Sequence, residues 1–380
     1  MNEKKEIVLT DVRKGRYVEN FSITASDWAP AKNESWNIQK KRLKGGKQDG
    51  VDIIEVDNGA LSFTVIPTRG LNILKASYQG INLGWKSPVE EIVHPAFINL
   101  ESRGGLGWLE GFNEWLARCG LKSFGAPGPD TIIDNQGNKK DITLTLHGKI
   151  SNIPASCFGL RIVKEKTSLL TIWGEVHEVS MFGPHLKLTT YITTAAFSNT
   201  ISITDTIQNM ASTPQEFEIL YHTNFGPPLL EEGSQLIAPI KKVIPVNERA
   251  EEGLKNYYRY EKPQAGFIEQ CYLFEMKKSQ GLTTVLLTNK NKDRGSSLTY
   301  STHELPCFTL WKSTGAVQDG YVTGLEPGTN YPLARRKERE EGRLLKLKPG
   351  EKKTFHLNFT VYTGKKEVEE IIKKTASTAG

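Results

Sequence analysis

The chain has 380 residues, of which 24% are charged and 38% belong to the hydrophobic set, with a net charge of +6. This composition excludes a disordered chain and is enough for a sizeable core. Lysine and arginine (49) are interleaved with aspartate and glutamate (43), so a basic surface of the kind nucleic acid requires is not expected.

Residues 1–50 are polar and basic, through Lys40-Lys41-Arg42 and Lys44-Gly45-Gly46-Lys47. They read as an irregular lead-in whose lysines are solvated. The first six residues, Met1 to Glu6, lack the apolar stretch of a secretory signal, and no run approaches the roughly 18 apolar residues of a membrane helix. Cys119, Cys157, Cys271 and Cys307 are far apart and form no C-x-x-C pair, so neither a zinc knuckle nor a redox motif is expected. A cytoplasmic protein with reduced thiols, and with neither a membrane nor a nucleic-acid partner, is the economical expectation.

From Val51 the pattern changes. Asp52 to Val56, then Asn58-Gly59, then Leu61 to Ile66 predict a hairpin around an Asn-Gly turn. Pro67-Thr68-Arg69-Gly70-Leu71-Asn72-Ile73 follows, and Arg69 is read either as a ligand contact or as a strand-edge cap. The stretch from Pro95 to Pro129 combines many glycines with Trp108, Phe112, Trp115 and Phe124, and Arg118 lies among them. Glycine with aromatics in a long irregular segment suggests a binding loop. It contains neither phosphate-loop pattern, so nucleotide binding is not expected.

Beyond Asp141 the chain reads as almost wholly β. Segments near 142–148, 159–165, 168–179, 185–195, 199–208, 216–221, 271–277, 282–288, 297–301, 306–312 and 354–362 are rich in Thr, Ile, Leu, Val and aromatics. Breaks every 8–12 residues or so predict a sandwich or barrel rather than an α/β fold. Phe355, Leu357, Phe359 and Val361 share one face of the last strand, which leaves His356 at the surface. His177 and His185 flank a turn and are also read as surface residues. Arg335 to Arg343 reads as a solvated loop, and Lys365 to Lys374 as an amphipathic terminal helix. No repeat or linker divides residues 51–380, which are expected to form one domain.

Three polar residues stand beside turn residues: His147 before Gly148, His222 before Gly226-Pro227-Pro228, and Glu326 before Pro327-Gly328. Alone, His222 reads as an ordinary core or surface histidine. Together the three are the parts of an acid/base pair with a helper, or of a site with two histidines and one carboxylate around a metal. The long spacing does not support a metal, and neither a metal nor another cofactor is expected. No G-x-S-x-G elbow supplies a nucleophile.

Five pieces in order resemble the galactose mutarotase-like superfamily, and more closely its aldose 1-epimerase-related DUF4432 branch. They are Pro67 to Ile73, Trp115 to Leu121, Leu146 to Ile150, Asp205 to Asn209 leading to Tyr221-His222-Thr223-Asn224-Phe225-Gly226, and Gly324 to Asn330. The resemblance implies an all-β fold, a large antiparallel β-sandwich whose concave sheet holds a sugar, here with the short C-terminal helix. It implies that His147 contacts substrate, that His222 is the general acid for the ring oxygen, and that Glu326 is the general base for the anomeric hydroxyl. Arg118 takes the place of a substrate-binding arginine, and Glu269 stands nearest to the family's substrate-binding aspartate. Arg69, Asn72, Asn224 and Trp311 join the expected substrate-binding set. The expected activity is mutarotation or a related epimerisation of a small carbohydrate, with a homodimer as an open expectation. Arg69, Arg103 and Arg118 also suggest a modified or acidic sugar, because guanidinium pairs well with anions. Two other readings stand beside this one: a carbohydrate-binding or regulatory module without catalysis, and another carbohydrate isomerase or lyase on the same fold.

Overall fold

Alternation builds the protein. In the strand His185–Ala195 every second residue is buried, from Leu186 through Leu188, Thr190, Ile192 and Thr194. Thr200–Asn209 repeats the pattern with Ile201, Ile203, Asp205, Ile207 and Asn209 inward. Period-two patterning of this kind gives each strand one face for the core and one for solvent. The computed structural model describes residues 3–31, 33–277 and 281–377. Its strands assemble into a ten-stranded and a thirteen-stranded sheet, with a separate two-stranded hairpin, among the described residues. The two large sheets pack face to face over one apolar core, where Trp115 meets Phe359 at 5.1 Å and Phe217 meets Phe355 at 6.3 Å between ring centroids. The result is an all-β antiparallel sandwich.

The hairpin around Asn58-Gly59 forms as expected, from Asp52–Asp57 and Leu61–Ile66. So does the terminal helix, Lys365–Ser377, and His356 is exposed. Residues 95–112 hold only short helical turns, and the chain then enters the fully buried strand Leu116–Leu121.

Two expectations are corrected. Residues 1–50 are not an irregular lead-in. Lys4–Asp11 pairs antiparallel with Cys157–Lys164 in the smaller sheet, while Phe21–Thr24 and Asn37–Arg42 edge the larger one. Such strands bury only one residue in two, here Ile23 and Ile38, and Lys40 hides the pattern further. That lysine is 1% exposed and bonds Asp52 at 2.9 Å, so its charge is compensated indoors. The charge run from Arg335 is likewise not a solvated loop. It forms the helix Arg335–Glu340, whose Arg335 is buried against Asp130, Glu216 and Glu218 at 3.2, 2.9 and 2.7 Å. Glu338 is buried too and holds Arg343 at 2.6 Å. No helix among the described residues is long and apolar enough to cross a membrane.

Candidate active site

Register alone brings the central pair together. The strand Gln215–Phe225 pairs antiparallel with Tyr321–Gly328, Leu220 opposite Gly328 and Thr223 opposite Leu325. This register sets His222 across from Glu326, with both side chains on the face turned away from the smaller sheet. Ala117 lies opposite His222 on its other side, and a methyl group there leaves room for the imidazole. Trp311 lies across from Gly324. That glycine is required by space: a Cβ would sit 2.3 Å from Glu326 Oε1 and 3.1 Å from His222 Cε1.

His222 Nε2 and Glu326 Oε1 are 3.2 Å apart, and the two residues are 5% and 2% exposed. On the other side of the ring, His222 Nδ1 and Asn224 Oδ1 are 2.6 Å apart. The Asn224 amide nitrogen donates to the backbone oxygens of Glu114 and His222, so Oδ1 faces the ring as an acceptor. Nδ1 therefore carries a hydrogen, and Nε2 is free for Glu326. Burial disfavours charge on both members of the pair. It lowers the His222 pKa to about 4, against a partial opposing effect of the Asn224 bond. It raises the Glu326 carboxyl well above its ordinary value, and the charge of Glu269 adds to the rise. Burial thus favours the neutral form of each member, a protonated Glu326 carboxyl facing a neutral His222 imidazole at 3.2 Å.

His147 completes the group. It lies in a turn beyond the strand Lys139–Leu144, in the left-handed region at φ 55°. Backbone bonds to Gly125 and from Gly120 hold it there. The following Gly148 (φ 70°) has no substitute, since a Cβ would meet Ser123 O at 2.0 Å. The His147 ring is 5.3 Å from that of His222 and 4.7 Å from that of Trp108. Burial, and next the neighbouring His222, hold its pKa well below the usual histidine range. Trp108, Phe112 and Trp311 wall the pair, with Phe112 and Trp311 at 5.1 and 5.4 Å from the His222 ring. Trp311 Nε1 donates to the exposed carboxylate of Glu269 at 2.7 Å, which puts Glu269 at the rim.

Six of the expected residues thus converge: His147, His222, Glu326, Asn224, Trp311 and Glu269. Three do not. Arg118 points from its strand into the space between the sheets, where it bonds Asp205, Leu71 O and Thr190. It pairs with Tyr221, not His222, so alternation sends it to the opposite face. Arg69 is fully buried against Glu114 at 2.9 Å and Val93 O at 3.0 Å. Asn72 donates to Glu114 and accepts from the Arg118 backbone. These three form a framework around the site. Arg103 is exposed on its loop. With Arg69 and Arg118 both paired to carboxylates, the arginine argument for an acidic sugar at this pair falls. Sequence reading missed Gly324, whose signal was its position two residues before Glu326 on the same face. It also missed Glu114, which nothing in the pattern distinguished.

The comparisons agree with this fold. No curated protein matches the chain. A crystal structure of an unconfirmed aldose 1-epimerase from Klebsiella pneumoniae subsp. pneumoniae MGH 78578 is 38% identical, with a TM-score of 0.93 over 100% of this chain and 96% of that one. A galactose mutarotase-like protein from Clostridium acetobutylicum is similar in fold, at 13% identity and a TM-score of 0.58 over 86% of this chain and 98% of that one. Galactose 1-epimerase from Lactobacillus acidophilus NCFM gives a TM-score of 0.53 at 13% identity, over 86% and 99% of the two chains. A family model for the domain of unknown function DUF4432 matches residues 48–361, and the chain belongs to that family.

Proposed function

We propose that this chain is a carbohydrate isomerase that interconverts sugar anomers by acid/base ring opening, as an aldose 1-epimerase does. The observation that carries the reading is the buried contact between His222 Nε2 and Glu326 Oε1 at 3.2 Å, walled by aromatic rings. The same activity is ascribed, without confirmation, to the 38% identical Klebsiella protein.

Hemiacetal opening moves two protons. The anomeric hydroxyl loses one as the C1–O5 bond breaks, and the ring oxygen gains one. The pair holds a single mobile proton and a single free basic site, which is the required complement. Sugar hydroxyls entering the site replace part of the hydration lost on burial, which favours proton transfer from Glu326 to His222 across the gap. Glu326 as carboxylate then accepts the anomeric proton, and His222 as imidazolium gives its Nε2 proton to the ring oxygen. The Asn224 carbonyl, fixed on Nδ1–H, stabilises that cation. Rotation about C1–C2 and reversal of both transfers closes the other anomer, with no net change in protons. His147, neutral and beside His222, contacts a sugar hydroxyl. Trp108, Phe112 and Trp311 offer apolar surface to the ring's C–H face and exclude water. The four cysteines are free, which suits a reducing cytoplasm.

Saturation-transfer NMR over a panel of aldoses tests this reading. At least one sugar should exchange anomers much faster with enzyme than without, and Glu326→Gln should abolish the gain. Tight binding of a sugar with no gain in exchange would instead identify a binding module.

A further inference from the structure

A second cavity, of about 540 Å³, lies beside Trp85 at the end of the His222 strand. Asn113 lines it and is 8% exposed. Its amide nitrogen donates to Val89 O at 3.1 Å and Glu91 O at 2.8 Å, which settles the orientation of the amide. Its Oδ1 is left as a buried acceptor with no partner among the described residues. A buried acceptor without a donor is costly, and it is satisfied by an O–H or N–H from a water or from a ligand that displaces that water. Ser87 cannot supply one, because its hydroxyl already donates to Phe112 O and accepts from Val89 N.

Trp85 adds a second element. It is half-buried, and its Nε1 is occupied by Glu114 O at 3.2 Å, so only the ring surface is left for a ligand. The third element is charge. Lys75 and Lys86 line the cavity, are exposed, and have no acidic partner within ion-pair distance among the described residues. One carboxylate, Glu90, also lines it, so the local balance is positive. An aromatic face, a buried acceptor for a hydroxyl and two ammonium groups complement a hydroxylated ring that carries an anion.

We propose that this cavity is a binding site for an anionic sugar, with the ring against Trp85, a hydroxyl donating to Asn113 Oδ1 and the carboxylate or phosphate held by Lys75 and Lys86. It is a neighbour of the His222 site and separate from it. The Trp85 ring meets Phe112 at 5.0 Å, and Phe112 in turn meets His222 at 5.1 Å. The proposal does not depend on catalysis at His222 and Glu326, so either reading can fail without the other.

The test follows the indole N–H resonance of Trp85, assigned with Trp85→Phe, while glucuronate, glucose 6-phosphate, glucose or inorganic phosphate is added. At least one of the two anionic sugars should shift the resonance saturably, and more tightly than glucose or phosphate. The double variant Lys75→Glu, Lys86→Glu changes only exposed side chains and should weaken that binding by about tenfold or more. Glu326→Gln should leave it unchanged. A preference for glucuronate would identify an acidic sugar, and one for glucose 6-phosphate a phosphosugar; either outcome supports the site. Phosphate binding as tightly as glucose 6-phosphate, with glucuronate inert, would reduce it to a bare anion site and overturn the proposal. Equal binding by the double variant, loss of binding in Glu326→Gln, or no saturable shift with any anionic sugar would overturn it as well.

Discussion

The two faces of the strand pair Leu116–Leu121 and Gln215–Phe225 treat buried charge in opposite ways. On the inner face Arg118 is fully buried but bonds Asp205, Thr190 and a backbone oxygen, so its donors find acceptors. On the outer face His222 and Glu326 are buried nearly as well but face each other among Trp108, Phe112 and Trp311, with no cation or anion fully compensating either. The first arrangement keeps its charges and serves as framework. The second pushes both members toward their neutral forms, which leaves a proton free to move between them. Burial makes a group structural or reactive according to whether its charge is matched.

The largest effect expected from this contrast is on folding. Arg118→Met leaves Asp205 buried and unmatched, which costs about 3–5 kcal/mol. Urea unfolding should show that loss, or no folded protein at all. A stability near wild type would show that Asp205 does not need its partner, and the contrast would break.

Glu326→Gln should do the reverse: lower turnover by about 10²-fold or more and leave the fold intact. The sign of its stability effect depends on pH. Because the folded value of Glu326 is raised, the folded protein keeps a proton that the unfolded chain releases above about pH 4.5. Its contribution is thus present at low pH and lost as pH rises toward the raised value. The variant should therefore melt at the same or a higher temperature than wild type, with the advantage growing with pH. A variant that folds and interconverts a good substrate at the wild-type rate would end the assignment of Glu326 as base.

The pH profile of kcat/KM sharpens the point. The productive free enzyme has one proton on the pair. An acid limb is expected near pH 4, where His222 takes up a second proton, and an alkaline limb where Glu326 gives up the last one. The opposite assignment, with Glu326 setting the acid limb and His222 the alkaline one, is what the residue types alone suggest. Burial reverses it. Asn224→Asp puts an anion on Nδ1 and should move the acid limb upward by about 1–3 pH units. An unmoved limb in a folded variant would show that Asn224 does not act through His222.

Gly324→Ala should cost less stability than Arg118→Met, about 1–3 kcal/mol, because one methyl group must be accommodated. It should still suppress turnover, since that methyl group displaces Glu326 or His222. Thermal melts beside anomer exchange would separate the two effects. Full activity would mean that the carboxylate reaches the sugar from another rotamer.

Much of this was legible in the chain. Strand periodicity announced a sandwich or a barrel, the Asn58-Gly59 hairpin and the terminal helix were legible from local pattern, and His147, His222 and Glu326 were visible as residues beside turns. Alternation also carried information that was not used: His222 and Arg118 belong to opposite faces once the pairing of Arg118 with Tyr221 is known. That pairing links residues about a hundred positions apart, and no local pattern sets it. The same holds for Lys40 with Asp52 and for Arg335 with Asp130, Glu216 and Glu218, which read as solvated charges because their compensating partners lie on other strands. Residue type and period are local properties, so the sequence by itself determined the strands beyond Val51 that alternate openly and which side chains can exchange protons, but not the edge strands of residues 1–50. Partnership and burial depend on register between distant strands. Only the tertiary structure decided which charges are matched, and hence which of them are framework and which are poised for chemistry.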